Sequence, residues 1–86
     1  MTNRYKIGQE IKQNGRIEVI YEISGMTSSL IITLEEVNGG TINERSYLLR
    51  LNSSGGEVLS LVWPYAYHPE NGEEYKTRKS FLEDRK

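Results

Sequence analysis

The stretch Asn14-Gly15-Arg16-Ile17-Glu18-Val19-Ile20-Tyr21-Glu22-Ile23-Ser24 decides the fold class. Ile17, Val19, Tyr21 and Ile23 alternate with Glu18, Ile20, Glu22 and Ser24. A period of two sends successive side chains to opposite faces of a strand. Two glutamates on the second face mark the strand as half-buried, with Glu18 and Glu22 turned to solvent. The Asn-Gly pair just before it signals a hairpin, because a type I′ turn requires positive φ at both central residues.

Outward from this strand the pattern repeats. Leu30, Ile32 and Leu34 alternate with Ile31, Thr33 and Glu35, and Tyr47, Leu49 and Leu51 alternate with Ser46, Leu48 and Arg50. Leu59, Leu61 and Trp63 alternate with Val58, Ser60 and Val62. A weaker run, Tyr5, Ile7 and Ile11, carries Gln9 where an apolar residue is wanted. The breaks are turn-formers: Ser24-Gly25, Asn38-Gly39-Gly40 and Ser53-Ser54-Gly55-Gly56. Short strands joined by short glycine turns predict an antiparallel meander, since parallel units need long crossovers. The expected strands lie near 3–12, 16–24, 28–37, 42–52 and 57–67.

After Pro64 the character changes. Proline lacks an N–H, so it either ends the last strand or lies on a sheet edge. Residues 73–86 read as a short helix, with Glu73 and Glu74 early and Arg85 and Lys86 late, as the helix dipole prefers. Its apolar stripe, Tyr75, Phe81 and Leu82 with the stem of Arg78, is thin. The helix either packs on the sheet or forms a mobile tail. The expectation is a mainly β domain: a curled five-strand meander or a small SH3-like or OB-like barrel, with a short C-terminal helix. An α+β sheet with the helix covering it comes second.

Length and charge bound the function. Eighty-six residues make one domain, and a chain of this size hides only ~64% of its surface on folding. Eleven basic and twelve acidic side chains leave a net charge of −1, so no global field draws in nucleic acid. The absence of cysteine removes disulfides, thiolate metal sites and a cysteine nucleophile together. No secretory leader is visible at Met1, and the longest apolar runs, Leu30-Ile31-Ile32 and Leu61-Val62-Trp63, fall far short of the ~20 residues of a spanning helix. The chain reads as soluble and cytoplasmic, with no membrane contact.

Catalytic, metal and cofactor constellations are not expected. His68 is the only histidine and supplies at most one ligand; as a general base it lacks an evident carboxylate and nucleophile. The paired glycines sit between strands, without phosphate-loop spacing. Paired acids such as Glu35 and Glu36 read as solvated strand faces.

Two features point to binding. If the chain stays extended through Pro64, Trp63, Tyr65 and Tyr67 fall on one face beside His68, as an interface anchor or a stacking platform. The plainer reading makes Trp63 a core anchor with tyrosines at its rim. Second, five acids and no Lys or Arg lie between Ile17 and Glu44. Glu18, Glu22 and Glu35 on adjoining strands would form an acidic patch that steers a basic partner, unless the basic termini fold back and pair with it. The expected function is that of a non-enzymatic module working by protein–protein contact, as adaptor, inhibitor or self-assembling subunit. The sheet edges favour a homo-oligomer, most simply a dimer. The alternative is a barrel that stacks single-stranded nucleic acid or a nucleotide on the aromatics, with Lys76, Arg78 and Lys79 at the phosphates.

Overall fold

The computed structural model describes residues 5–25 and 29–85. Five strands follow in order: β1 (Glu10–Gln13), β2 (Arg16–Ser24), β3 (Leu30–Glu36), β4 (Ile42–Leu51) and β5 (Glu57–Tyr67). A 3-10 turn at Pro69–Asn71 leads into helix α1 (Glu73–Asp84). Each strand pairs antiparallel with its neighbour in sequence, giving the order β1-β2-β3-β4-β5. The sheet curls into a half-barrel and leaves β1 and β5 as its two edges. The expected meander is present, as a curled open sheet rather than a closed barrel.

Local chemistry explains the boundaries. Asn14 and Gly15 both adopt positive φ, 53° and 79°, as the two-residue turn between Gln13 and Arg16 demands. The first strand is shorter than the expected 3–12. Lys6–Gln9 closes a turn, with the Gln9 amide donating to the Lys6 carbonyl at 3.0 Å. Its residues still grip β2: Gly8 N donates to Ile20 O, and Ile20 N to Gln9 O. Residues 3, 4, 28 and 86 of the expected elements lie outside the described residues. Pro64 does not end β5; it sits inside that edge strand, opposite Arg45.

Two bulges set which side chain meets which. Between β2 and β3 the register passes from Ile20↔Thr33 to Glu22↔Ile32, so Tyr21 is an extra residue. Between β4 and β5 it passes from Ser46↔Trp63 to Tyr47↔Leu61, so Val62 is extra. An inserted residue reverses the in-out alternation beyond it.

Both faces of the sheet carry buried side chains. On one face Val19, Leu34, Ile42 and Tyr67 pack with Leu82 of α1, flanked by Tyr21, Tyr75 and Phe81. Phe81 meets Tyr21 edge-on at 4.9 Å between ring centroids, and the Tyr75 hydroxyl donates to the Gly40 carbonyl at 2.8 Å. Helix α1 is therefore docked, not a free tail. On the other face the curl of the sheet buries Ile20, Ile31, Thr33, Tyr47 and Glu18. The molecule is long, 43 × 21 × 20 Å. Among the described residues β4 follows β3 as far as the bond from Leu49 N to Ser29 O, and the end of the β4–β5 hairpin projects past that pairing.

Candidate functional site

Strand β5 carries the first candidate. The chain runs extended through Pro64, and Trp63, Tyr65 and Tyr67 share one face, opposite Ser46, Glu44 and Ile42. Their environments differ. Trp63 is 60% exposed, whereas Tyr67 is buried beneath α1, where the Arg78 guanidinium lies 4.2 Å from its ring centroid. Burial also lifts the Tyr67 phenol above its ordinary pKa. Trp63 is thus not the core anchor that the plainer reading made it, and the platform reduces to Trp63 and Tyr65, with the Tyr65 ring edge-on to Tyr67. His68 is exposed, its Nδ1 3.2 Å from Thr41 Oγ1. A shallow cleft of about 310 Å³ runs beside Tyr65 between Asn43–Arg45 and Pro64–Ala66.

Trp63 does not stand alone. Leu51, Val58, Leu61, Val62 and Tyr65 are also exposed, all on β5 or on the end of β4 paired with it. From Val58 to Tyr67, ten consecutive residues of β5 carry no charge.

The acidic patch takes a different form from the one expected. Glu18 is fully buried and Glu22 exposed, and the bulge at Tyr21 puts them on opposite faces. The Glu18 carboxylate accepts from Tyr47 OH at 2.8 Å, Thr33 Oγ1 at 2.9 Å, Arg16 Nε at 2.8 Å and Arg45 Nη1 at 3.0 Å. Arg45 also donates to Glu35 at 2.8 Å. Two carboxylates and two guanidiniums make the cluster neutral, and charge-assisted bonds of this kind are the strong ones. The bond from Arg16 to Glu18 holds the guanidinium more basic than usual, and burial pushes the Tyr47 phenol up. Every oxygen of Glu18 is occupied, so the cluster is a polar core rather than an open site.

The basic C-terminus folds back onto the acidic strands. Arg78 Nε meets Glu44 at 3.0 Å, Lys79 meets Glu36, and Arg85 meets Glu10 at 2.8 Å. Burial works against the Arg78 charge, but the bond to Glu44, the attraction of its carboxylate and the nearby Tyr67 and Tyr21 together outweigh it and hold the guanidinium above its ordinary pKa. Of the three candidate phosphate contacts, Arg78 and Lys79 already hold carboxylates; Lys76 is exposed. Glu18 could not be found by pattern, because three of its four partners, Thr33, Arg45 and Tyr47, lie 15 to 29 positions away. The one available signal is that Thr33, Arg45 and Tyr47 are polar-capable residues inside strand patterns.

Among the described residues no group of three or more His, Cys, Asp or Glu is arranged to hold a metal ion, and no helix is long and apolar enough to cross a membrane. No family model, curated protein or solved structure matches this chain.

Proposed function

We propose that the protein is a non-enzymatic binding module that works by protein–protein contact through β5 and the projecting end of the β4–β5 hairpin. One observation carries this reading: among the described residues, six of the eight large exposed apolar side chains, Leu51, Val58, Leu61, Val62, Trp63 and Tyr65, fall on that single hairpin. Clustered exposed apolar surface marks an interaction site, whereas scattered residues need no explanation. Trp and Tyr are the residues most often found at the energetic centre of an interface. Every oxygen of Glu18 is occupied and Arg78, Lys79 and Arg85 of the C-terminal segment hold carboxylates, which leaves β5 as the surface with unmet demand.

The test is capture from native lysate by the immobilised full chain and by Trp63→Ser, with circular dichroism confirming that the variant is folded. Loss of a captured protein on substitution supports the reading. A chain that is monomeric and captures nothing overturns it, as does capture indifferent to Trp63. Oligonucleotide binding that weakens steeply between roughly 50 and 200 mM salt would overturn it in favour of phosphate recognition.

A further inference from the structure

The two edges of the sheet are built differently. β1 is four residues long and includes Glu10 and Lys12, and Arg85 is paired with Glu10 across it. Short, charged edges are how sheets avoid pairing with other chains. β5 is eleven residues long and uncharged from Val58 to Tyr67. Its side chains are apolar on both faces, with Leu61 opposite Tyr47 on one and Trp63 opposite Ser46 on the other. Such an uncharged run belongs to a strand in the interior of a sheet, yet β5 is paired along one edge alone, with β4.

We propose that the open edge of β5 pairs antiparallel with β5 of a second copy, joining two half-barrels into one continuous ten-stranded sheet about a two-fold axis. This rests on the reading of β5 as a protein-docking strand and names its partner.

The register follows from the bulge. A two-fold perpendicular to the sheet keeps each residue on its own face, so paired residues must share a face. In a regular strand that condition pairs a residue with itself at the axis. Here Val62 shifts the alternation, and self-centred pairing matches faces over only half of β5. A register between Val62 and Trp63 matches them throughout: Leu61 lies opposite Pro64 of the second copy, Ser60 opposite Tyr65, Leu59 opposite Ala66 and Val58 opposite Tyr67. No charge meets a like charge in this arrangement.

Backbone geometry agrees. Proline is accommodated in a sheet where its missing donor faces outward. Residues sharing the direction of Pro64, namely Ala66 and, past the bulge, Leu61 and Leu59, therefore aim their amide and carbonyl groups at the open edge. The register brings Leu59 to Ala66 and Leu61 to Pro64, so outward groups meet outward groups and each Pro64 costs one donor. The five exposed apolar side chains on β5, 41% to 60% exposed, offer roughly 500 Å² per copy, or about 1,000 Å² for the pair, the threshold for a specific interface.

Sedimentation of the full chain over a concentration series tests the inference, with Trp63 emission read on the same samples. The expected result is a species of twice the chain mass that dissociates on dilution, the emission moving to the blue as the dimer forms. Val62→Lys should be monomeric throughout with unchanged far-ultraviolet dichroism. A second variant does not depend on weakening anything. In this register the two Val62 Cα atoms stand about 6 Å apart, within disulfide range. In a chain without cysteine, Val62→Cys should oxidise to a covalent dimer, whereas Leu51→Cys at the hairpin tip should stay reduced. A wild type monomeric at all concentrations, a dimer indifferent to Val62→Lys, or preferential crosslinking at position 51 would each overturn the proposal. A monomer whose lysate capture still depends on Trp63 overturns the second copy alone; a monomer that captures nothing overturns the docking strand as well.

Discussion

Glu18 shows what a single residue contributes here. A carboxylate with no exposure is tolerated because two guanidiniums and two hydroxyls donate to it. Removing one partner of a buried pair costs far more than the pair contributes, since the remaining charges stay desolvated. Glu18→Gln should therefore lower unfolding free energy by about 3 kcal/mol, read from urea denaturation. Tyr47→Phe removes the hydroxyl that donates to Glu18 and accepts from Arg16 and should cost about 2 kcal/mol. It should also change the response to alkali. Burial raises the phenols of Tyr47 and Tyr67 above 10.0, so the unfolded chain releases these protons first as pH rises. Stability is then fully present below the unfolded value and falls as pH climbs through the folded ones. Urea midpoints taken from pH 9 upward should decline above about pH 10, and more gently in Tyr47→Phe. None of this was legible in the alternation around Glu18, which placed Ile17 inside and Glu18 outside. The structure reverses them, with Ile17 55% exposed. Pattern assigns a face, but whether a face is wet depends on strands brought over it from elsewhere in the chain.

At the level of elements, boundaries were largely readable and packing was not. Hairpin chemistry at Asn14-Gly15 and the glycine breaks put four strands and the helix within about two residues of their observed limits. Tyr21 and Val62 gave no warning of their bulges, since a bulge residue looks like any other member of an alternating run. Helix α1 illustrates how a thin stripe suffices. Leu82 is its one buried residue, and the docking is completed by Tyr75 on the Gly40 carbonyl and by Arg78 and Lys79 on Glu44 and Glu36. Leu82→Ala should cost about 3 kcal/mol and release the helix before the sheet melts. Loss of helical dichroism at a lower urea concentration than loss of the strand signal would register this. Gly40→Ala attacks the same joint from the other side: φ is +84°, and the added methyl would stand 3.2 Å from the Tyr75 hydroxyl. Gly15→Ala, with φ at +79° and open space around it, should cost only the backbone strain, about 1 kcal/mol. The difference between the two midpoints measures the Tyr75 contact.

For the molecule as a whole, uncovered apolar surface lies along the projecting hairpin while charge is neutralised elsewhere. Helix ion pairs occupy two of the three bases that would have met phosphates, and the curl hides the acid that would have headed a patch. Trp63 was legible as an exceptional residue; its exposure was not, because a lone tryptophan in a strand is equally suited to a core or an interface. Its emission should be red in the isolated chain at high dilution, with cooperative unfolding retained.

The strand order has a kinetic consequence. Because every strand pairs with its neighbour in sequence, the sheet can be assembled hairpin by hairpin, closing only short loops each time. Local pairings of this sort carry little closure entropy and favour fast folding for a β protein. The ion pair between Glu10 and Arg85, 75 positions apart, belongs to the opposite extreme and can form only after α1 has crossed the finished sheet. Refolding followed by strand dichroism should therefore run ahead of helix docking, with the contact between Glu10 and Arg85 the last to form.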